Sequence, residues 1–407
     1  MKIDELLKDN TASLDYMERY INDGSPSGYT RKNTTSEFTN PFSNKKWFNL
    51  YCLYYPSSWS VVIGKLPSFL KKTSPIDNII VHPDFNKRFE KTRLEKTVLR
   101  VVPTSSARTV RMLDYDYYLK LNYYGIIGRI KRNLTVNHAL ASYEVSDILY
   151  NVLGTSGFEK LSFFPETGGK VVLKNTEDIN MGLVVRNQKP FGGNSSNIKY
   201  IIPFFSLFSN DLFDQNHIKI LIQLIEYNKK EPKDYILNSI VFPIIKYYFL
   251  LISKEGLQPE WHAQNLLLGL DKDLQICSFI MRDLESIDID ESIRESSKKQ
   301  VVKMNFFPYK HINKNQYNYK IKHSFMFDYK LCKYLLEPII LCVCSNYHLN
   351  YFELVNEIKN FVDKEKQVLP HDFFPSEWYS FRNQLVNQSI SDRPYINNGL
   401  PIYRSSN

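Results

Sequence analysis

Two segments of the chain place polar side chains directly beside apolar, strand-like runs. In PEWHAQNLLLGL, residues 259–270, four polar groups precede the apolar run: Glu260, His262, Gln264 and Asn265. In FIMRDLES, residues 279–286, Arg282 and Asp283 follow another apolar run. Polar groups are costly to bury without partners, so a hydrophobic core does not explain this arrangement. A site that binds a metal ion and a nucleotide does explain it.

The two segments together predict a β-hairpin whose polar groups lie at one end. The turn LDKD joins the two strands, so Asn265 and Asp283 are expected to meet across the hairpin. Their amide and carboxylate oxygens suit Mg²⁺ that carries a triphosphate. The arrangement resembles the asparagine and aspartate that hold magnesium in protein kinases, although neither HRD nor DFG is present. His262 is close to neutral at pH 7 and can contact phosphate or transfer a proton.

A second stretch, residues 103–134, offers groups that bind phosphate. The chain has no GxxxxGK[ST] and no GxGxxG motif, so side chains and strand backbones must hold any nucleotide. Arg108 can bind a phosphate or a carboxylate through two parallel hydrogen bonds. Lys120 lies in a tyrosine-rich strand, where a lone ammonium is expensive unless it meets an anion. The hydroxyl groups of this stretch belong to Ser105, Ser106 and Thr109, and further cations follow at Arg129, Lys131 and Arg132.

Composition and charge narrow the function classes. The chain has 407 residues, 43% of them hydrophobic, and a formal net charge of +9 with a pI near 9.0. This balance fits an anionic partner, which leaves nucleic acid, a membrane surface, and nucleotide or carboxylate substrates open. The five cysteines form no CxxC pair, as expected for reduced core cysteines in a cytosolic protein. No signal peptide is visible, and the apolar run at 239–252 is too short to span a bilayer, so we expect a cytoplasmic protein with no membrane partner.

Apolar periodicity predicts both strands and helices along the chain. Strands are expected over 96–127 and in the segments FFPETGGKVVL and MGLVVRNQKPF, whereas 46–83 fits either strands or short helices. Helices are expected over 142–153, 210–228, 235–255 and 325–363. Residues 286–300, acidic and then basic, are expected to form a solvated surface segment.

These residues carry a resemblance to a known family. Five features follow one another in the order typical of the IucA/IucC family. They are the segment PTSSARTVRML, Lys120 twelve residues after Arg108, Arg132 twelve residues after Lys120, PEWHAQN and RDLE. These are the NRPS-independent siderophore (NIS) synthetases. Weaker likenesses are IIVHPDF, the glutamate and arginine of FFPETGGK and LVVRNQKPF, and the C-terminal YINNGLPIY. The resemblance runs from about residue 78 to the C-terminus.

The resemblance implies an ATP-dependent ligase. ATP and Mg²⁺ would activate a carboxylate such as citrate as an acyl-adenylate, and an amine, polyamine, amino acid or hydroxyl would then attack it. It implies that Ser106, Arg108, Thr109 and Lys120 hold phosphates, with Ser105 beside them, and that Arg132 meets phosphate or the substrate carboxylate. His262 and Gln264 would face the triphosphate and acyl group, and His262, Arg132 and Lys120 would be the catalytic residues. Asn265, Asp283 and Glu260 would hold the metal.

The resemblance also implies an architecture, mixed α+β with a central antiparallel sheet, and the sequence departs from the family pattern at several points. We expect a reduced N-terminal subdomain (thumb) at 1–95, a central palm with a kinase-like ATP and magnesium hairpin at 96–300, and a helical C-terminal subdomain (fingers) at 301–407. Typical members are longer at the N-terminus and carry a further histidine-containing motif there. Asp84 replaces the tryptophan of the family's HPWQ segment, Gly128 replaces a threonine, and Arg382 is the candidate for a C-terminal lysine.

Three other functions remain open at this point. A kinase-like phosphotransferase would release ADP instead of AMP and pyrophosphate. A catalytically inactive relative would keep the fold without turnover. Nucleic acid could bind the basic, aromatic segment 301–322, although a solvated face or a lid over an anionic substrate fits it better, so we expect no nucleic-acid partner. Dimers are common in the family, which leaves a homodimer open.

Overall fold

The computed structural model describes residues 2–23, 39–71, 74–84, 94–127, 130–154, 157–173, 181–299, 311–316, 318–381 and 395–406. The strands are β1 Phe48–Pro56, β2 Ser60–Gly64, β3 Ile76–Val81, β4 Leu94–Pro103, β5 Thr109–Met112, β6 Tyr117–Leu121, β7 Tyr123–Ile127, β8 Ile130–Arg132, β9 Leu161–Phe163, β10 Glu166–Val172, β11 Met181–Asn187, β12 Tyr200–Pro203, β13 Leu257–Gln258, β14 Leu266–Leu270, β15 Ile276–Met281, β16 Asp288–Asp290, β17 His311–Ile312, β18 Tyr379–Phe381 and β19 Tyr395–Asn397.

The longer helices pack around these strands, so the fold is mixed α+β as predicted. They are α1 Ile3–Lys8, α2 Asn10–Tyr20, α3 Val136–Leu153, α4 Phe204–Phe208, α5 Ile220–Asn228, α6 Pro232–Glu255, α7 Glu291–Ser296, α8, which consists of the consecutive segments Tyr319–Ser324, Phe325–Leu336 and Glu337–Tyr347, and α9 Tyr351–Glu365.

The large sheet has eight strands in the order β2-β10-β11-β6-β5-β4-β1-β3, and every neighbouring pair is antiparallel. This confirms the predicted antiparallel sheet. Strands β1 to β3 belong to this sheet together with strands from beyond residue 95, and β4 itself includes that residue. The division of the chain at residue 95 stays a prediction, because the first three strands share one sheet with the proposed central subdomain.

The second sheet contains the predicted hairpin. Its order is β12-β14-β15-β9, with β14 antiparallel to β15 and Leu266 opposite Met281. All residues of β14 and β15 are buried, which explains why both sequences read as continuous apolar runs without alternation. Asp271 shapes the turn, because its Oδ1 accepts from the backbone N–H groups of Asp273 and Gln275, both at 2.9 Å.

Helix α6 supplies much of the core beneath the second sheet. It begins at Pro232, which lacks an N–H group, at a position where an N–H would have no partner within the helix. It ends before Gly256, whose φ of 61° is left-handed and stops the helix. The helix is long and apolar enough to cross a membrane, but 61% of its most apolar stretch is buried inside the protein. The interpretation of 239–252 as part of a buried helix is therefore confirmed.

Three sequence-based boundaries are wrong. Residues 210–219 are not helical, because Asp211 and Asp214 accept hydrogen bonds from backbone N–H groups two residues further on and hold a turn instead. The segment 286–300 is not solvated throughout, because β16 is buried and Asp290 is bound there by the Tyr319 hydroxyl at 2.7 Å. The helical region 325–363 is interrupted at His348, whose φ is 54°.

A buried ion pair joins two strands that are far apart in the order of the large sheet. Lys170 of β10 donates to Asp77 of β3 at 2.9 Å and to the carbonyl of Asn78 at 3.1 Å. Both charged side chains are fully buried. The hydroxyls of Ser60 and Tyr55 donate to the other carboxylate oxygen of Asp77, at 3.0 and 3.3 Å. The first and last strands of the sheet therefore approach each other around one satisfied buried charge pair.

We expect Lys170→Met to lower the free energy of unfolding by about 3–5 kcal/mol, because it leaves Asp77 buried without its counter-charge. Urea denaturation followed by circular dichroism measures the change. Lys189→Met is the matched control, since the Lys189–Asp116 pair is mostly exposed and its loss should leave the urea midpoint unchanged. Equal midpoints for the two variants would contradict this account of the sheet.

Candidate active site

The two sheets meet at a cluster of buried charges centred on Lys120. This side chain lies on β6 and is 1% exposed. Its ammonium forms ion pairs with Asp283 and, at 3.0 Å, with Glu285. Both carboxylates follow β15 directly, in the RDLES segment. A lysine of the large sheet is therefore neutralised by the end of the hairpin in the second sheet.

Two arginines complete the cluster. Arg108, in the loop before β5, donates to Glu285 at 3.1 Å. Arg186 of β11 lies 3.6 Å from Asp283, and it donates to Glu166 of β10 at 2.5 Å. Arg186 and Glu166 are directly opposite each other in the β10–β11 register. The glutamate and arginine noted as weak likenesses in the sequence thus belong to the same charge cluster.

The backbone at Asp283 is strained in a way that helps to place its carboxylate. Its φ of 66° and ψ of 58° lie in the left-handed region, which few residues other than glycine adopt. Both the N–H and the hydroxyl of Ser286 donate to the Asp283 carbonyl, at 3.0 and 2.7 Å. This tight turn brings Asp283 and Glu285 to the same ammonium.

Burial and ion pairing act in opposite directions on these acids. Burial raises the pKa of Asp283, but Lys120, Arg186 and Arg108 outweigh it and hold that pKa well below its ordinary value. The pKa of Glu285 is lowered by Lys120 and Arg108 in the same way, again against the effect of burial. Both acids are therefore ionised at neutral pH.

The predicted hydroxyl groups lie in the loop next to this cluster. Thr109 stands opposite Lys120 in the β5–β6 register, and its N–H donates to the carbonyl of Ser106 at 2.9 Å. The loop is closed by Thr104, whose hydroxyl donates to the Thr109 carbonyl at 2.8 Å. Ser105 is 1% exposed. The structure brings the loop to Lys120, while phosphate binding by Ser105, Ser106 and Thr109 stays a prediction.

The first segment of the hairpin meets the second through its backbone and side chains. The Arg282 N–H donates to the Asn265 carbonyl at 3.0 Å, so Asn265 lies opposite the residue that precedes Asp283, and the predicted pairing of the two as metal ligands stays a prediction. The Asn265 amide donates to the Glu260 carbonyl at 3.2 Å and to the Ser286 hydroxyl at 3.4 Å. His262 accepts at Nδ1 from the Gln264 N–H at 3.2 Å. Burial lowers the pKa of His262 to about 4, so its ring is neutral at pH 7.

The predicted metal ligands fit magnesium only in part. Glu260 forms an ion pair at 2.6 Å with Lys330 of α8, so its carboxylate is already engaged by a cation. Among the described residues, no group of three or more histidine, cysteine, aspartate or glutamate side chains could hold a metal ion. Magnesium usually binds through one or two carboxylates together with water and phosphate oxygens. The Asp283 carboxylate is likewise engaged by a cation, Lys120, so a metal ion at either acid requires that the existing ion pair opens.

Other predicted residues lie at the limits of the described structure. Arg132 pairs with Tyr123 in the β7–β8 ribbon, but its side chain is not among those described. Gly128, Arg129 and Arg382 lie outside the described residues. Half of the basic segment 301–322 is also outside them, and only 311–316 and 318–322 are described. The roles assigned to these positions remain predictions.

Several buried polar atoms around the cluster have no hydrogen-bond partner within the described part of the chain. Two are donors and two are carboxylate oxygens: Ser105 Oγ, Arg282 Nη2, Glu166 Oε2 and Glu285 Oε2. Buried polar atoms are normally satisfied, so such a concentration requires an explanation. Lys120, Arg108 and Arg186 lie beside these atoms, and together with the two free donors they fit an anionic ligand.

Four residues of the site received no role from the sequence: Glu18, Glu166, Arg186 and Glu285. Glu285 was visible in RDLES, and Glu166 and Arg186 were visible in the weak likenesses. Glu18 was not visible at all, since it lies in helix α2 and reaches Ser105 across 87 residues of sequence. A chemical motif is local in sequence, and this contact is not.

The VHPD segment supports the loop between β4 and β5, residues 104–108, which is called the phosphate loop below after its predicted role. His82 is 1% exposed; its Nε2 donates to the carbonyl of Ala107 at 3.1 Å and its Nδ1 accepts from the Asp84 N–H at 3.1 Å. These two contacts require the neutral ring. Burial lowers the pKa of His82 to about 4, although the carboxylate of Asp84 acts in the opposite direction.

Fold and site together define an α+β protein with a buried cluster of cations and carboxylates between two sheets. The sequence matches no family model and no curated protein. Solved structures do match. ATP-bound aerobactin synthetase IucA from Klebsiella pneumoniae superposes with a TM-score of 0.71 at 12% identity, covering 98% of this chain and 80% of that chain. Petrobactin biosynthesis protein AsbB from Bacillus anthracis gives 0.68 at 13% identity, covering 88% and 69%.

A third match is aerobactin synthetase IucC from Klebsiella pneumoniae, with a TM-score of 0.60, 12% identity and coverage of 82% of this chain and 65% of that chain. All three are NIS synthetases. The chain therefore has the NIS synthetase fold, and the resemblance of the motifs is confirmed at the level of architecture. The protein-kinase details of the hairpin are not confirmed by these comparisons.

We expect the stability of the protein to fall as the pH drops from 6.5 towards 4, partly through His82. Its folded-state pKa lies below the ordinary value of 6.5, so the unfolded chain takes up the proton first. The stabilisation is complete above pH 6.5 and is lost as the pH falls towards 4. Urea titrations should show a slope for wild type steeper than that of His82→Gln by up to about 1.4 kcal/mol per pH unit. Parallel slopes would contradict a buried neutral His82.

Proposed function

We propose that the protein is an ATP-dependent ligase of the NIS synthetase type, which joins a carboxylate to an amine or hydroxyl nucleophile. One observation carries this proposal. Lys120, Arg108 and Arg186, from neighbouring parts of the large sheet, converge on Asp283 and Glu285 of the hairpin. The fold is that of synthetases, one of which was solved with ATP bound. The likeness to ATP-bound IucA supports ATP as the cosubstrate.

The charge balance of the site supports magnesium as the second requirement. Four cations, Lys120, Arg108, Arg186 and Arg282, are paired with four carboxylates, Asp283, Glu285, Glu166 and Glu18. A free triphosphate would add about four negative charges to a neutral cluster. Magnesium neutralises half of them, and its preferred ligands include carboxylate oxygens such as those of Asp283. We infer that the site takes the magnesium complex of ATP and not ATP alone.

The proposed binding mode requires an exchange of partners. As the nucleotide binds, Lys120 and Arg108 would turn from the carboxylates of the RDLES segment to phosphate oxygens. Asp283, released from the ammonium, would hold the metal together with Asn265. Cations and metal would stabilise the negative charge that develops when the substrate carboxylate attacks the α-phosphorus and pyrophosphate leaves. Holding both anions in place overcomes their mutual repulsion.

The second half of the proposed reaction needs a proton acceptor. The nucleophile attacks the acyl carbon of the adenylate, AMP leaves, and an amine loses a proton, which passes to water. His262 is neutral at pH 7, because burial lowers its pKa to about 4. We assign it a contact with phosphate or the acyl group rather than efficient general base catalysis, because so low a pKa makes a weak base. Arg132 and Gln264 keep their proposed roles at the substrate carboxylate and triphosphate.

The substrate is proposed at the level of chemical class. A citrate-like di- or tricarboxylate and an amine, polyamine or amino acid follow from the family chemistry, and siderophore assembly in the cytoplasm is the corresponding process. Neither nucleic acid nor a membrane is proposed as a partner, and a homodimer is an open arrangement. The alternative function is a kinase-like phosphotransferase, which the same cations would serve. The product distinguishes the two, since the ligase releases AMP and pyrophosphate and the kinase releases ADP.

The first test is pyrophosphate release from ATP and Mg²⁺ with hydroxylamine, across a panel of carboxylic acids. Hydroxylamine traps an activated acyl group, so the natural nucleophile need not be known. We expect pyrophosphate and hydroxamate that depend on both the acid and Mg²⁺. Formation of ADP without pyrophosphate would replace the ligase by the phosphotransferase. ATP binding without any product would indicate an inactive relative.

The second test addresses the charge cluster. We expect Asp283→Asn to lower pyrophosphate release by about 10²–10³-fold, the usual effect of losing one group that stabilises the transition state. Lys120→Gln should do the same and also destabilise the fold, because it leaves the half-buried Asp283 and the more deeply buried Glu285 without their main counter-charge. Lys189→Gln, at an exposed ion pair, is the control for both. Turnover within threefold of wild type in Asp283→Asn would remove this residue from the site.

A further inference from the structure

One carboxylate of helix α2 reaches the charge cluster. Glu18, near the C-terminal end of that helix, is 3% exposed. Its Oε2 accepts from the backbone N–H of Ser105 at 3.0 Å, and its Oε1 forms an ion pair with Arg282. The two partners lie 87 and 264 residues away in sequence. The N-terminal helix is thus part of the environment of the phosphate loop.

Arg282 connects Glu18 to the hairpin through hydrogen bonds. Its Nε donates to the Gln264 carbonyl at 2.6 Å, and its own N–H donates to the Asn265 carbonyl at 3.0 Å. A continuous chain of hydrogen bonds therefore runs from Ser105 through Glu18 and Arg282 to the PEWHAQN segment. One end of this chain belongs to the loop between β4 and β5 of the large sheet, and the other to the segment that directly precedes β14 of the second sheet.

We propose that Glu18 is a positioning residue that fixes the phosphate loop against the hairpin, an inference that rests on the proposed function. A triphosphate needs donors from both sheets at fixed separations, and such preorganisation determines how tightly it binds. Glu18 sets the orientation of the Ser105 N–H. It also compensates the buried guanidinium of Arg282, whose Nη2 has no partner within the described residues. Arg282 then keeps one donor available next to the loop.

The same helix contains a matched comparison. Asp15 binds Arg111 of β5 through two hydrogen bonds, at 2.8 and 2.5 Å. Like the pair of Glu18 and Arg282, it joins an acidic side chain of α2 to an arginine. It fastens the helix to the large sheet. No residue placed in the site takes part in it. A purely structural role for Glu18 would therefore make Glu18→Gln and Asp15→Asn behave alike.

The test compares Glu18→Gln, Asp15→Asn and wild type by three measurements. Urea denaturation gives the global stability. Native-state hydrogen exchange gives the protection of the Ser105 and Arg282 amides. Titration with ATP in the presence of Mg²⁺, and KM and kcat for pyrophosphate release, give the effect on the proposed site. Glutamine keeps the size of the side chain and one acceptor, but it removes the charge that compensates Arg282.

We expect both variants to lose stability and only Glu18→Gln to alter the site. Exchange at the Ser105 and Arg282 amides should accelerate at least about tenfold beyond the change in global stability, since a charge-assisted contact is lost at each end. The Kd and KM for ATP should rise by about tenfold or more, with a smaller change in kcat. Asp15→Asn should match wild type in exchange at these amides and in ATP affinity.

The outcomes separate this inference from the proposed function. Equal exchange at Ser105 and Arg282 in the two variants, after correction for stability, would overturn the positioning role whether or not ATP binds. Unchanged ATP affinity in Glu18→Gln, with wild type binding ATP, would overturn it as well. Wild-type protein that binds no ATP would overturn the proposed function. In that case the exchange measurement alone decides whether Glu18 couples the loop to the hairpin.

Discussion

The site depends on the burial of one ammonium group. Lys120 is almost fully enclosed at the junction of the two sheets, and a buried charge is tolerated only when close counter-charges and hydrogen bonds compensate its loss of hydration. Asp283 and Glu285 provide that compensation. Because the lysine belongs to the large sheet and the acids to the hairpin, the ion pairs also determine how the sheets meet. The left-handed turn at Asp283 follows from this requirement, since it presents two carboxylates, two residues apart, to the same atom.

The surrounding pairs extend the same principle. Arg186 is shared between Glu166 and Asp283, and Arg108 adds to Glu285, so that each carboxylate near Lys120 has more than one cationic neighbour. Such shared pairs lower the pKa of Asp283 and of Glu285, even though burial by itself raises both. A network of this kind is costly to assemble and strongly directional. It is also one in which a new anion can replace an existing one without leaving any cation unpaired, provided that the displaced carboxylate meets a metal ion.

Periodicity and local motifs predicted much of this arrangement, but not all of it. The hairpin followed from two apolar runs with a polar turn, and the structure pairs Asn265 with Arg282, the neighbour of Asp283. The cost of burying Lys120 correctly predicted an anion near it, but the anions in the structure are carboxylates of the protein itself. Glu260 is consistent with a metal ligand in sequence, yet it meets Lys330, which lies 70 residues further along the chain. The burial of β16 was missed because its aspartates read as solvated, whereas Asp290 is satisfied by Tyr319. In each case the deciding partner comes from a distant part of the sequence.

The N-terminal region also shows contacts that local motifs do not predict. Judged by motifs, the first residues contribute little, because they contain no recognisable phosphate-binding or metal-binding pattern. In the structure, Asp15 and Glu18 of α2 bind two arginines that belong to different sheets, Arg111 and Arg282. They lie three residues apart, on the same face of the helix, as required for two neighbouring contacts. Helix α2 therefore contacts the large sheet through Asp15 and the end of the hairpin through Glu18. The geometry of the site is therefore a property of the whole fold, although the individual groups that bind an anion can be recognised locally.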